Sequence, residues 1–365
     1  MTASLFNPYR LAGLELPNRV LMAPMTRNRA GDRGIPTPLN AEFYGQRAGA
    51  GLIITEGTQP SPGGQGYPGT PGLHNDLQQA GWARVVDSVH AAGSHIFIQL
   101  MHAGRISHPA LQPGGRQPVA PSAVRPQGRV FTGTAWEPFQ TPRALERREL
   151  AGIRQEFVGA ARRAIAAGAD GVELHAANGY LLHQFLAAGI NRRGDDYGGS
   201  IENRIRLTVE VATAVAEAVG ADAAGLRISP ANTFNDVSEP DAPDVYRALL
   251  EALEPLDLAY LHVIESPPDA GFSALKLARR HRDGAIVANS GGWQLWDGED
   301  AQAILETGQA DMVSFGRQFL ANPDLPERLR RRVHLNQPDQ ATFYGGNERG
   351  YTDYPRLTEE LRHAA

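Results

Sequence analysis

Short apolar runs recur along this chain, each closed by a glycine- or proline-marked turn and followed by a longer stretch with helical spacing. Eight of them, at residues 19–23, 51–55, 95–100, 171–175, 224–228, 259–264, 285–289 and 311–315, read as strands, because they are rich in β-branched and apolar side chains and bounded by turn residues. They are apolar throughout rather than alternating, the pattern of strands buried on both faces. Between them, residues 76–92, 146–167, 201–219, 241–253, 272–280, 299–307 and 324–333 carry apolar positions at i, i+3 and i+4, several with Asp or Ser at the start and Gly just past the end. The repeated strand–helix rhythm predicts an α/β fold, a single (β/α)8 TIM barrel, which typically needs ~250 residues. The chain has 365 residues, and a Pro- and Gly-rich insertion after the third strand, residues 105–143, takes up part of the surplus. A loop that long is uncommon unless functional. We expect it to cap the barrel mouth, with a short strand at 130–132. No linker divides residues 1–365, so one domain is expected.

Composition then removes several chemistries. There is no cysteine, which excludes disulfides, thiolate nucleophiles, iron–sulfur clusters and cysteine-bound zinc. Lys276 is the only lysine, and it lies in a pattern that reads as a surface helix, against a Schiff-base or PLP enzyme. It follows Leu275, so it cannot close a Walker A loop. A net charge of −5 offers no general attraction to nucleic acid or anionic lipid, and no apolar run is long enough to span a bilayer. The first residues lack a basic n-region and an apolar h-region, so a cytoplasmic location is expected.

Barrel enzymes work at the carboxyl ends of their strands, and here those ends are polar. After the seventh and eighth strands come Ser290-Gly291-Gly292 and Gly316-Arg317. Glycines let the backbone approach a phosphate closely and an arginine adds a bidentate contact, although a tight turn and a surface cation fit the same residues. The fourth strand runs into His175, Asn178 and Tyr180. Imidazole and carboxamide N–H groups can together hold one oxygen on which negative charge develops, and a phenol with a pKa near ~10 can donate a proton. Two other readings stay open: Glu173, His175 and His183 as zinc ligands, without a standard spacing, or ordinary buried polar residues.

Taken in order, these segments resemble the Old Yellow Enzyme family of FMN-dependent ene-reductases, in particular its bacterial members. The resemblance runs from Leu5-Phe6-Asn7-Pro8 to Tyr351-Thr352-Asp353-Tyr354-Pro355. It includes Ala23-Pro24-Met25-Thr26-Arg27, Gln99-Leu100-Met101-His102-Ala103-Gly104-Arg105, the His175/Asn178/Tyr180 stretch, Asn191-Arg192-Arg193 with the segment 196–204, and Phe343-Tyr344-Gly345-Gly346. It implies non-covalent FMN, with Pro24, Thr26, Gly57, Gln99 and Arg227 around the isoalloxazine and Gly291, Gly292, Gly316 and Arg317 at the phosphate. It implies NADPH or NADH as reductant, and an α,β-unsaturated carbonyl or nitro compound as substrate. The oxygen of that substrate would be held by His175 and Asn178, while hydride passes from flavin N5 to the β-carbon and a proton from Tyr180 to the α-carbon. Tyr67 and Tyr344 resemble pocket aromatics of relatives, and Met101 stands where many relatives carry a bulkier aromatic. Thr26 replaces the cysteine of another subgroup, and Asn178 the histidine of some relatives. Rival readings on the same scaffold are a flavin-bearing binder of phenols or steroids with little turnover, and a reductase of nitroesters or nitroaromatics. No metal, nucleic acid or membrane is expected to take part, and the chain would act as a monomer or homodimer.

Overall fold

The computed structural model describes residues 4–292 and 295–357; positions 1–3, 293–294 and 358–365 of the expected domain lie outside them. All eight predicted strands form, each within one residue of its expected bounds. They are β1 (Val20–Met22), β2 (Leu52–Ile54), β3 (Ile96–Leu100), β4 (Gly171–Ala176), β5 (Ala224–Ile228), β6 (Tyr260–Ile264), β7 (Ile286–Asn289) and β8 (Met312–Phe315). They pair in parallel and in chain order, and β8 closes onto β1.

Side-chain parity divides each strand between two cores. In β4, Val172, Leu174 and Ala176 pack outward with the helices, which turns Gly171, Glu173 and His175 into the barrel. Leu21, Ile54, Phe97, Tyr260, Val287 and Met312 fill the amino-terminal end of the interior, and Leu11 and Leu16 of a hairpin (Tyr9–Leu11 with Leu14–Leu16) join them. Two inward glycines make this layer possible. A Cβ at Gly171 would come within 2.5 Å of the Phe97 ring, and one at Gly225 within 2.5 Å of the Tyr260 ring. The two rings lie 5.5 Å apart between their centroids. We therefore expect Gly225→Ala to destabilise by about 1–3 kcal/mol through overpacking. Gly159→Ala, on an exposed helix position with nothing within 4 Å of its Cβ, should instead stabilise by about 0.5–1 kcal/mol. Urea midpoints of the two variants check the contrast.

All seven predicted helices are present. The one expected from residue 146 begins at Leu150, after a 3-10 turn over Arg147–Glu149. Three short helices escaped the periodicity. Pro38–Gly45 buries Asn40 and Tyr44 along with Phe43, Leu181–Leu186 is buried on every side, and Arg317–Ala321 is barely longer than a turn. None presents an amphipathic stripe. Among the described residues no helix is long and apolar enough to cross a membrane.

The insertion is not structureless. Val119–Ala120 pairs with Arg143–Ala144, and Arg129–Phe131 forms an antiparallel hairpin with Trp136–Pro138. Val130 and Phe139 pack with Tyr180, Met101 and Ile106 at the carboxyl end of the barrel.

Candidate active site

The turn after β4 is held in a conformation that most residues avoid. Asn178 and Gly179 both have positive φ, 54° and 76°, and a Cβ at Gly179 would lie 2.7 Å from that of Asn235. Asn178 keeps this shape because its backbone is gripped from the loop after β5. Its N–H donates to Ser229 Oγ at 2.8 Å, and Asn235 Nδ2 donates to its carbonyl at 2.8 Å. Asn232 Nδ2 donates to Asn178 Oδ1 at 3.1 Å, which leaves the NH2 end of the carboxamide for another molecule. That loop is in turn fastened by Arg105, whose buried guanidinium donates to the Asn235 and Asp236 carbonyls at 3.0 and 2.6 Å.

His175 is buried, and its Nδ1 has no hydrogen-bond partner. Burial, reinforced by Arg227, His183 and His262, holds its pKa well below the usual histidine value, so the imidazole is neutral at pH 7. The Tyr180 ring lies 5.1 Å from it between centroids, and the Tyr180 hydroxyl meets that of Tyr67 at 3.0 Å. Burial raises both phenols above their ordinary value. The zinc reading dissolves at this point. His183 accepts from Gly179 N–H at 2.9 Å and faces Tyr246 and Glu239, while both Glu173 oxygens point away, to Gln99 and His262.

Two cavities open at this end of the barrel. The smaller, about 190 Å³, is lined by Pro24, Asn178, Arg227, Gly291, Gly292 and Gly316, with Arg317 at its rim. The larger, about 880 Å³, is lined by Thr26, Tyr67, Tyr180 and Tyr344, with Phe131 and Trp136 from the insertion hairpin. Pro24 and Thr26, like Asn178 and Tyr180, face different cavities two residues apart, so the cavities share walls. Four of the predicted site residues, His175, Gly57, Gln99 and Met101, line neither. Gln99 lies beneath on β3, and Gly57 packs on Met101: a Cβ at Gly57 would lie 2.6 Å from the Met101 sulfur. Met101 is buried in one apolar cluster with Tyr67 and Tyr180 and does not line the larger cavity.

Sequence reasoning missed the polar layer of the barrel interior. Glu173, His262, Asn289 and Ser314 occupy inward positions beside Gln99 and Arg227 and are hydrogen-bonded to one another. Their signal was legible: a polar residue at an inward position of an apolar strand. Also missed was the anchoring of Tyr344. Arg27 and Arg29 donate to backbone carbonyls of Thr342, Phe343, Asn347 and Gly350, and so strap the carboxyl-terminal segment across the mouth. Beside Arg27, burial lifts the Glu56 carboxyl to about 7 against the Arg27 and Asn28 N–H groups that bond it.

Over residues 4–336 the chain matches the NADH:flavin oxidoreductase / NADH oxidase family. It belongs to that family, the Old Yellow Enzymes. A morphinone reductase structure with tetrahydroNAD bound is 48% identical, with 97% of this chain and 98% of that one covered and a TM-score of 0.92. The Old Yellow Enzyme homologue of Zymomonas mobilis is 38% identical over 97% and 100% of the two chains, with a TM-score of 0.93. A probable flavin mononucleotide-dependent alkene reductase of Leishmania infantum is 41% identical over 96% of this chain and 97% of its own. This Old Yellow Enzyme is thus a flavin-dependent NAD(P)H oxidoreductase with FMN as cofactor. The residues present suit that group. Arg227 Nε is buried without a partner, and a Cβ at Gly292 would meet open space in a left-handed turn at the cavity wall.

Proposed function

We propose that the protein is an ene-reductase that uses NAD(P)H to reduce the activated C=C bond of α,β-unsaturated carbonyl or nitro compounds. Pro24, Thr26, Gly57, Gln99 and Arg227 would hold the isoalloxazine ring of FMN, and Gly291, Gly292, Gly316 and Arg317 its phosphate. FMN bound there would supply the hydride chemistry, carrying two electrons and a proton from the nicotinamide to the β-carbon of the substrate. His175 and Asn178 hold the carbonyl or nitro oxygen through neutral N–H groups. These hydrogen bonds strengthen as negative charge gathers on that oxygen, where one such donor is worth about 3 kcal/mol. Tyr180 carries its proton on the hydroxyl and gives it to the α-carbon, and Tyr67, 3.0 Å away, solvates the oxygen left behind. Tyr67 and Tyr344 border the substrate, Met101 sets the depth of the pocket from below, and the insertion hairpin covers it.

One observation carries this reading: a neutral, buried imidazole with an unpaired nitrogen stands next to a phenol that burial keeps protonated. A pure binder of phenols has no use for that second group. The test is anaerobic NADPH consumption on addition of cyclohexenone. We expect turnover that depends on the enone; consumption that ignores it would reduce the protein to a flavin-bearing binder.

A further inference from the structure

The polar layer inside the barrel has a direction. Arg227 donates to Asn289 Oδ1 at 3.4 Å, Asn289 Nδ2 donates to Ser314 Oγ at 2.9 Å, Ser314 Oγ meets His262 Nε2 at 2.7 Å, and His262 Nδ1 meets Glu173 Oε2 at 2.8 Å. From the opposite side Gln99 Nε2 donates to Glu173 Oε1 at 2.7 Å. A guanidinium only donates and an ionised carboxylate only accepts, so one placement of hydrogens satisfies all five contacts. His262 carries its proton on Nδ1, and Ser314 turns its hydrogen to His262 Nε2 rather than to the Ala288 carbonyl at 3.3 Å. The Asn289 oxygen faces Arg227. Gln99 keeps one N–H and its carbonyl oxygen free, an adjacent donor and acceptor of the kind an imide edge requires.

Glu173 is the end point of both branches, and it is fully buried. Burial alone would push its carboxyl up, but His262, Arg227 and Gln99 together hold it below the usual value, so it is ionised. Burial lowers the pKa of His262, which stays neutral. The Tyr260 hydroxyl faces the same carboxylate and is raised well above its ordinary value by burial and by that charge. Arg227 and Glu173 thus compensate each other's charge through the chain rather than by direct contact.

We propose that Glu173 is a positioning residue for the flavin. Its carboxylate fixes the Gln99 amide on one side and, through His262, Ser314 and Asn289, the Arg227 guanidinium on the other, and its buried charge holds the flavin reduction potential down. The proposal rests on the reading of Gln99 and Arg227 as flavin contacts. An unsupported Gln99 can turn its amide over, and an Arg227 without its counter-charge favours the more negative, reduced cofactor.

Two variants separate the orienting role from the electrostatic one. Glu173→Gln keeps the size and removes the charge; in the holoenzyme it should raise the flavin midpoint potential and weaken FMN retention about tenfold, the loss of one hydrogen bond to a charged group. Glu173→Asp keeps the charge but draws the carboxylate back, so FMN retention should fall while the potential stays close to that of the parent. Spectroelectrochemistry reads the first quantity, and FMN fluorescence released on dilution of the holoenzyme reads the second. A Glu173→Gln holoenzyme with unaltered potential and retention overturns the proposal. If that variant does not fold, unaltered retention in Glu173→Asp overturns it. Gln99→Leu is the control for the underlying reading: if it too retains FMN as the parent does, Gln99 is not a flavin contact and both ideas fall. If Gln99→Leu alone loses FMN, only the role of Glu173 is refuted.

Discussion

Tyr180→Phe should slow reoxidation by an enone by about 10²- to 10⁴-fold, the range for removing a positioned general acid, with flavin reduction by NADPH nearly unchanged. The substitution removes one oxygen and keeps the ring, which packs with Val130, Phe139 and Met101, so the pocket wall survives. What disappears is a proton that burial holds in place. The Tyr180 pKa is raised above its ordinary value of 10 chiefly by desolvation, against smaller opposing contributions from Tyr67 and Asn235. The protonated phenol is the competent form. The rate of the enone step should therefore stay level on the alkaline side and fall only as pH rises through that raised value. Stopped-flow measurement of the two half-reactions decides the matter, because equal slowing of both would place Tyr180 in a general structural role. Tyr67 has a smaller part. Its hydroxyl meets that of the acid rather than the substrate carbon, and Tyr67→Phe should affect the enone step far less than Tyr180→Phe.

How far the sequence could be read depended on whether a feature is carried by neighbours in the chain. The strands were legible to within a residue because apolar runs between turn signals are local patterns, and so was the His175–Tyr180 segment, whose members share one turn. The positive φ of Asn178 was not. It is imposed by Ser229, Asn232 and Asn235, about fifty residues downstream, with Arg105 behind them. The same distance hid the straps on Tyr344, since Arg27 and Arg29 act on carbonyls more than 300 residues away. Met101 shows the complementary limit. Its match to a position where relatives carry a bulky aromatic suggested the pocket, but just past the end of β3 its side chain packs against Gly57 instead. The barrel interior is the instructive case. Its polar layer follows from strand register once register is known, with Glu173 opposite Gln99 and Arg227 opposite His262, and register is a property of the closed sheet rather than of any one segment.

His175→Ala carries the second large effect. Phenols present an oxygen that becomes anionic, like that of the enone in the transition state, and so report on the oxygen-binding donors without turnover. Loss of a hydrogen bond to a charged group costs about 1.5–3 kcal/mol, so phenol affinity should fall about 10- to 100-fold. The enone half-reaction should slow by about 10²- to 10³-fold, because the bond is stronger in the transition state than in the complex. His175→Asn should recover part of both, since a carboxamide is again a neutral donor. The pH dependence separates this from an ionic grip. With the His175 pKa depressed by burial and by Arg227, the imidazole that holds the oxygen stays neutral through pH 6.5, and phenol affinity should rise with pH as the phenol itself ionises. A titration in which His175→Ala binds phenol as tightly as the parent would remove His175 from the oxygen site. Affinity that collapses as pH rises through 6 to 7 would mean that the imidazole acts as a cation instead.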